Sequence, residues 1–195
     1  MFYDVNSDFP FLLDLEKNWL VIKSEISALG ESEFEDYEHS KDGGWKIMLF
    51  VMLDRVNEKF AKACPETIRL LQNIPNLTFA AVSKLKSHSS IHPHKEWIKN
   101  EDMLHYNNGN LHRAHLGLQI PKGDIEDCGI RVGEKARQWE IGKCLMFDDN
   151  VEHEVWNNTD EDRIVMVIDF IKDGHRLLET EQIRALKKQM IDLHM

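Results

Sequence analysis

The sequence has few cysteines, no long apolar run and no leader-like start. Its three cysteines stand at unrelated spacings without a C-x-x-C pair, which argues against a disulfide framework and favours a reducing compartment. No window approaches the roughly 18 consecutive apolar residues of a transmembrane helix, and no basic segment precedes an apolar stretch at the N-terminus. These absences predict a soluble cytoplasmic protein without a membrane partner.

Basic charge is also scarce. The 24 Lys and Arg residues against 34 Asp and Glu residues give a net charge of −10, which argues against nucleic acid as a partner. A chain of 195 residues is expected to bury one core as a single domain, 1–195. Within it we predict a helical N-terminal support with the first strand (1–75), a catalytic core (76–172) and a C-terminal helix (173–195).

Apolar periodicity predicts helices toward both ends of the chain. Helical spacing covers Phe9 to Leu29, and Gly30 offers a stop. A second helix is predicted from Val56 to about Asn73, broken at Cys64-Pro65 because proline is tolerated at a helix start but not in its interior. Leu177 to Leu193 is helical again. The terminal apolar faces are consistent with a homodimer and equally with packing inside one subunit.

The middle of the chain has the pattern of short β-strands. Trp45 to Leu53 is an aromatic and branched run that predicts a first strand. Further apolar runs are separated by turn-forming residues and lie at Leu77–Leu85, Arg113–Ile120, Gly129–Val132, Cys144–Phe147, His153–Asn157 and Arg163–Ile171. This spacing predicts a mainly β fold with flanking helices, built on a jelly roll or a related double-sheet barrel.

His94, Glu96 and His153 form a candidate metal site. Residues two apart on an extended chain point to the same side, so His94 and Glu96 can converge on one ion. By the same parity His92 also remains a candidate ligand. Two histidines and one carboxylate are the facial triad of non-haem Fe(II) oxygenases, which leaves open coordination positions for other ligands.

Arg163 heads the last predicted strand, ten residues after His153. A buried arginine at this point offers a carboxylate two parallel, charge-assisted hydrogen bonds. The alternative is a surface ion pair with one of the acidic residues just before it. Trp97 and Trp156 are candidates for the wall of a substrate pocket, or else ordinary core residues.

Three blocks of the sequence occur in an order found in one enzyme family. They are Arg113–Pro121 (RAHLGLQIP), Trp139–Lys143 (WEIGK) and Phe147–Asn157 (FDDNVEHEVWN). In these blocks the chain resembles the aspartyl/asparaginyl β-hydroxylases, and the resemblance extends from about Gly44 through Asp169. It implies a double-stranded β-helix (jelly-roll, cupin-like) fold that uses Fe(II), 2-oxoglutarate and O2. It also implies hydroxylation of an unactivated carbon of an amino acid, a peptide residue or a related small molecule.

The resemblance also implies roles position by position. His94 and His153 match the family's iron ligands, and Arg163 matches the arginine that pairs with the distal carboxylate of 2-oxoglutarate. The remaining matches are polar or basic contacts to the same co-substrate, namely Ser83, Arg113 and His115. The resemblance therefore implies a dicarboxylate pocket beside the metal.

The chain departs from the family at two places. Relatives with glycine two positions after the first histidine bind iron through two histidines alone, and others carry aspartate there, whereas this chain has Glu96. We expect Glu96 to ligate the iron, the alternative being that its longer side chain holds a water or a substrate amine. The second departure is the insertion Ile98–Tyr106, expected either to select the substrate or to be an ordinary loop.

Two other functions stay open. One is a non-catalytic metal-binding or sensing protein on the same barrel, and the other is a halogenase or another oxidative variant. A glycine or alanine in place of Glu96 would leave room for a halide, so Glu96 favours hydroxylation. The set of Ser83, Arg113, His115 and Arg163 favours an enzyme, because a metal-only site has no need for a dicarboxylate pocket.

Overall fold

Two antiparallel β-sheets form the body of the protein. The structure is a computed structural model, and it describes residues 1–37, 43–53, 55–95, 111–171 and 185. In these ranges the strands are β1 Glu35–Asp36, β2 Trp45–Met52, β3 Arg55–Val56, β4 Leu77–Leu85, β5 Ser89–His94, β6 Leu111–Gln119, β7 Cys128–Val132, β8 Lys135–Arg137, β9 Cys144–Phe147, β10 His153–Asn157 and β11 Arg163–Ile171.

The strands cross repeatedly between the two sheets. Over the described ranges the larger sheet has seven strands in the order β1-β2-β4-β11-β6-β9, with β3 paired to β2. The smaller sheet has four strands in the order β5-β10-β7-β8. Such non-consecutive neighbours are the topology of a jelly roll. At the β9 edge, Phe2 bridges to Phe147, so the first residues of the chain extend the larger sheet.

Short helices cover the outer face of the larger sheet. In the described part of the chain they are α1 Val5–Asp8, α2 Leu13–Lys17, α3 Trp19–Leu29, α4 Glu58–Ala63 and α5 Pro65–Gln72. Local sequence explains several ends. The Asn57 side chain accepts from two first-turn amides of α4, Pro65 opens α5, and Gly30 stops α3 with φ of 86°.

The predicted helix from Phe9 to Leu29 is divided. A 3-10 turn, Pro10–Leu12, precedes α2, and Asn18 separates α2 from α3. Asn18 Nδ2 donates to the carbonyl oxygen of Asp14 at 2.8 Å, so a side chain takes the place of a backbone donor there. The periodicity predicted the buried stripe correctly but not this interruption.

The larger sheet is apolar on both faces, and β11 shows how. Its residues Ile164, Met166 and Ile168 pack toward the helices, in the same cluster as the buried residues of α3 and α5. Val165 and Val167 point the other way and pack against the smaller sheet. Because side chains alternate along a strand, Arg163 shares the inner face with these two valines. The space between the sheets is therefore where the site residues of this strand lie.

The predicted fold class, mainly β with flanking helices around a jelly-roll core, is confirmed. Most predicted strands have the observed bounds, while β5 and the short β1, β3 and β8 were missed because their sequences are polar. Glu96, the segment from Trp97 to Asn110 and, apart from Ala185, the C-terminal helix Leu177–Leu193 lie outside the described residues. The single-domain division stays a prediction. In the described ranges no helix is both long and apolar enough to cross a membrane.

Candidate active site

His94 and His153 lie side by side at the junction of two strands of the smaller sheet. His94 ends β5, His153 begins β10, and the two residues are direct partners in the antiparallel ladder. Their ring centroids are 4.2 Å apart. His153 is 3% exposed, whereas His94 is only half-buried. The pair therefore reaches from the interior of the barrel to its opening.

A β-bulge turns His94 inward. His94 pairs with His153 and Ile91 pairs with Val155, so His92 and Pro93 together oppose the one residue between them on β10. Ile91 packs on the inner cluster. In a regular strand His94, three positions after the inward-facing Ile91, would face outward. The extra residue of the bulge turns it inward instead. Proline has no N–H to contribute to the ladder, which suits position 93 to the bulge.

Both histidine rings are held in the tautomer that suits metal binding. The Nδ1 atom of His94 lies 2.7 Å from the carbonyl oxygen of His92, and that of His153 lies 3.0 Å from the carbonyl oxygen of Val151. A carbonyl oxygen only accepts, so Nδ1 carries the proton in each ring. The lone pair then resides on Nε2, and backbone support of this kind fixes the orientation of a ligating histidine.

Arg163 is the other end of the site and is almost wholly inside the protein. It is 1% exposed, and within the described residues its Nε and Nη1 have no hydrogen-bond partner. Its Cζ stands 5.0 Å from the centroid of the Trp139 ring. Burial lowers the pKa of Arg163 to about 10, and the nearby Cys128 opposes this shift only in part. A charged group in such surroundings calls for an anion.

His115 shares ring neighbours with both ends of the site, Phe147 with His153 and Trp139 with Arg163. It projects from β6, is buried, and accepts a hydrogen bond on Nδ1 from Trp139 Nε1 at 3.2 Å. Burial, reinforced by the charges of Arg163 and Arg113, lowers the pKa of His115 well below its usual 6.5. The neutral ring must therefore carry its proton on Nε2, which makes that nitrogen a donor. The Phe147 ring packs edge-on to His115 at 5.0 Å and contacts His153 at 5.4 Å.

Ser83 contributes a hydroxyl to the same interior. It lies on β4 opposite Val165, the inner-face residue two positions after Arg163. The indole Nε1 of Trp45 donates to Ser83 Oγ at 3.0 Å. Because that oxygen already accepts, the hydroxyl proton of Ser83 is oriented for donation elsewhere.

Arg113 is held by carboxylates. Its Nε and Nη2 donate to the two carboxylate oxygens of Asp169, each at 2.7 Å, in a bidentate ion pair. Its Nη2 also lies 3.7 Å from Asp149 Oδ2. Asp149 and Asp169 are both buried. Arg113 thus joins β6, β11 and the turn before His153, and its contact with a co-substrate stays a prediction.

Four predicted site residues come together in one interior, namely His153, His115, Ser83 and Arg163, with His94 at its opening. Glu96 lies outside the described residues, and within them no cluster of three metal-ligating side chains occurs. His92 is exposed, because it follows the inward-facing Ile91, and the bulge gives His94 the opposite orientation from His92. Of the two alternatives for Trp156, the pocket wall is excluded, because its side chain lies on the face opposite His153, against Gly129.

Sequence reasoning missed Trp139, Asp149 and Asp169 as parts of this environment. Asp169 carried a usable signal, since it is a charge within an apolar strand and shares the parity of Arg163. Trp139 and Asp149 stand in the matched blocks, but no local pattern indicates what either contacts. Their partners lie on strands that are distant in the sequence.

The residues present fit a divalent metal together with a dicarboxylate. Two imidazoles of fixed tautomer suit a metal such as Fe(II), and the unpartnered N–H groups of buried Arg163 suit a carboxylate. The donors of His115 and Ser83 lie on β6 and β4, the two strands that flank β11 in the larger sheet. This set of donors would suit an anion held between the histidine pair and Arg163.

Comparison with known proteins agrees with this fold. A crystal structure of a Pseudomonas putida prolyl-4-hydroxylase superposes with a TM-score of 0.54 at 16% identity, covering 82% of this chain and 87% of that one. At this identity the likeness concerns the fold alone. It places the chain among jelly-roll proteins.

Sequence comparison identifies the family. Residues 16–173 match the family model described as Aspartyl/Asparaginyl beta-hydroxylase. The ornithine lipid ester-linked acyl 2-hydroxylase of Rhizobium tropici is 33% identical over 87% of this chain and 60% of its own length. The human aspartyl/asparaginyl beta-hydroxylase is 34% identical over 88% of this chain and 22% of its own length. The chain thus spans only part of these relatives, and it belongs to the aspartyl/asparaginyl β-hydroxylase family.

Proposed function

We propose that the protein is an Fe(II)- and 2-oxoglutarate-dependent dioxygenase that hydroxylates an unactivated carbon. The observation that carries this proposal is the state of Arg163, a fully buried cation whose Nε and Nη1 have no partner in the described part of the chain. An unpaired buried charge is costly, and a bound carboxylate compensates it. One end of a dicarboxylate meets this need while the other end remains available to a metal.

The side chains divide the work by position. His94 and His153 would hold the metal, Glu96 is proposed as a third ligand, and Arg163 would anchor the distal carboxylate. Iron with 2-oxoglutarate and O2 supplies the oxidising chemistry that hydroxylates a C–H bond. Ser83 and His115 would donate hydrogen bonds that orient the co-substrate, and the rings of Phe147 and Trp139, which lie against His115 and Arg163, would keep water away from it.

The substrate is proposed to be an amino acid, a peptide residue or a related small molecule. The names of the two relatives point to different carbon atoms, one in a lipid acyl chain and one in aspartyl or asparaginyl residues. A screen for succinate release should therefore include free amino acids, dipeptides and acylated amino acids. A cytoplasmic location, a homodimer and the lack of nucleic-acid and membrane partners stay predictions.

The test uses iron-loaded protein without oxygen. Adding 2-oxoglutarate should produce the visible absorbance band of a 2-oxo acid chelated to Fe(II). Succinate, which has no keto group, serves as the matched ligand control and should give no band. Admitting oxygen with a true substrate should then yield succinate and hydroxylated product in equal amounts.

The same titration separates the proposal from its alternatives. A metal-binding or sensing protein would take up Fe(II) but show no band with 2-oxoglutarate, and that result would overturn the proposal. A halogenase would give the band and would incorporate chloride into the product, which mass spectrometry detects.

A further inference from the structure

Asn157 connects β10, the strand of the proposed iron ligand His153, with the end of β4 and with the turn that leads into the proposed carboxylate anchor Arg163. It ends β10, four residues after His153, and lies on the same inner face. It is 0% exposed. A buried amide must satisfy its donors and acceptors within the protein, so its hydrogen bonds define what it holds in place.

The amide nitrogen of Asn157 donates hydrogen bonds to three backbone carbonyl groups close to Arg163. Nδ2 donates to the carbonyl oxygens of Leu85 at 3.3 Å, Lys86 at 3.0 Å and Glu161 at 2.8 Å. Leu85 is the direct ladder partner of Arg163, and Glu161 precedes Arg163 by two positions. One side chain therefore fixes the backbone across from the arginine and the backbone that leads into it.

The orientation of this amide is set by its oxygen. Oδ1 accepts from Thr159 Oγ1 at 2.7 Å and from the Thr159 backbone N–H at 3.3 Å. These two donors leave the nitrogen directed at the three carbonyl oxygens. The Thr159 hydroxyl thus supports the contacts that Asn157 makes to β4 and to the turn before β11.

We infer that Asn157 is a positioning residue that fixes Arg163 relative to His153 and thereby sets the length of 2-oxo dicarboxylate that the site accepts. The inference rests on the proposed function, because it assigns the two ends of one ligand to these two residues. A bidentate arginine contact tolerates little displacement, so a looser β4–β11 junction should weaken the fitting ligand more than a longer one.

The experiment compares two ligands on three variants. Fe(II) and then 2-oxoglutarate or 2-oxoadipate, one methylene longer, are titrated anaerobically by calorimetry into wild type, Asn157→Ala, Thr159→Val and Asn57→Ala. Asn57 is the matched control, a buried asparagine that also holds backbone groups, but at the start of α4 on the helical side.

In Asn157→Ala the affinity for 2-oxoglutarate should fall about tenfold, and its preference over 2-oxoadipate should shrink, while Fe(II) affinity is retained. Thr159→Val should reduce the preference for 2-oxoglutarate in the same way but by less. If Asn157→Ala does not fold, Thr159→Val serves as the test of the inference. Asn57→Ala should lower thermal stability without changing the preference.

The inference is overturned if Asn157→Ala shows an unchanged preference for 2-oxoglutarate over 2-oxoadipate. Where that variant does not fold, an unchanged preference in Thr159→Val overturns it. An equal loss of preference in Asn57→Ala overturns it as well. The proposed function fails in a different way, which is that wild type binds Fe(II) but neither dicarboxylate.

Discussion

The two sheets supply different halves of the candidate site, and they are built differently. The larger sheet carries Ser83, His115 and Arg163 and is buried on both faces, by helices on one side and by the smaller sheet on the other. The smaller sheet carries His94 and His153, alternates buried with partly exposed residues along β10, and contains a bulge beside His94.

This difference matches what each half would have to do under the proposed function. Recognition of a carboxylate by one arginine is strongest where water is absent and the surrounding chain is rigid, and the larger sheet provides both. A metal that must exchange ligands needs an open side, and the edge of the smaller sheet provides one. We therefore expect changes in the smaller sheet to alter metal binding and changes in the larger sheet to alter dicarboxylate binding.

The largest expected effect is on iron and comes from the smaller sheet. His94→Ala should weaken Fe(II) binding by more than about 100-fold, since loss of a supporting group alone costs about 10- to 100-fold. His92→Ala is the matched control and should bind Fe(II) like wild type, because the His92 side chain is exposed. Anaerobic calorimetry measures both. Equal losses in the two variants would contradict the assignment of His94 and the role of the bulge.

The next effect concerns the larger sheet. Arg163→Met keeps an apolar stem but removes the guanidinium, and it should weaken 2-oxoglutarate binding about 100-fold while Fe(II) binding is retained.

The same variant should also be more stable than ligand-free wild type and unfold at a higher denaturant concentration, because it removes a buried charge. A pKa of about 10 for Arg163, against its usual 12.5, corresponds to about 3 kcal/mol against the charged form.

Arg131→Met is the control for that variant. Arg131 is a strand arginine of the smaller sheet that is paired with Glu154 and partly exposed, so its loss should leave dicarboxylate affinity unchanged. If Arg163→Met binds 2-oxoglutarate as wild type does, the carboxylate lies elsewhere.

A smaller effect is a pH dependence that arises from His115. Burial keeps the pKa of His115 well below 6.5, so below pH 6.5 the unfolded chain binds a proton that the folded protein does not. The free energy of unfolding should therefore fall as the pH falls below 6.5, by up to about 1 kcal/mol per pH unit from this residue. In His115→Asn, whose amide oxygen can still accept from Trp139, urea unfolding between pH 7 and pH 5 should show a shallower slope. Parallel slopes would mean that His115 takes up its proton in the folded state.

The smallest effect tests the support of Ser83. Trp45→Phe removes the indole donor to Ser83 Oγ and should weaken 2-oxoglutarate binding about threefold, the net contribution of one hydrogen bond. Trp19→Phe is the control, since the Trp19 ring packs against Gly142 near the helices. A loss of Fe(II) affinity in Trp45→Phe would contradict the expectation that changes in the larger sheet alter dicarboxylate binding and not metal binding.

Much of the fold was predictable because its strands follow a local pattern. β4, β9, β10 and β11 have the predicted bounds, since each is an apolar run bounded by polar residues. Strand β5 was missed because its sequence, Ser89–His94, is polar. Nothing in that segment alone shows that it would pair with β10.

The sequence predicted which residue types form the site, but not the contacts that orient them. Arg163 and His153 lie within or just after a matched block, and alternation along β11 places Arg163 on the inner face. The inward turn of His94 depends on a bulge that forms against β10, so local parity misled the assignment of His92. The contacts of Asn157 with Leu85 join residues 72 positions apart, which no local rule can indicate.

Under the proposed function, the interior charge of Arg163 would also tie the amount of folded protein to its ligand. A dicarboxylate that binds the folded chain and not the unfolded one adds about 2.7 kcal/mol of stability at a concentration 100 times its dissociation constant. For a domain of this size such an increment is a sizeable part of the total. A cell poor in that metabolite would thus hold less of the protein in folded form, independently of any change in its synthesis.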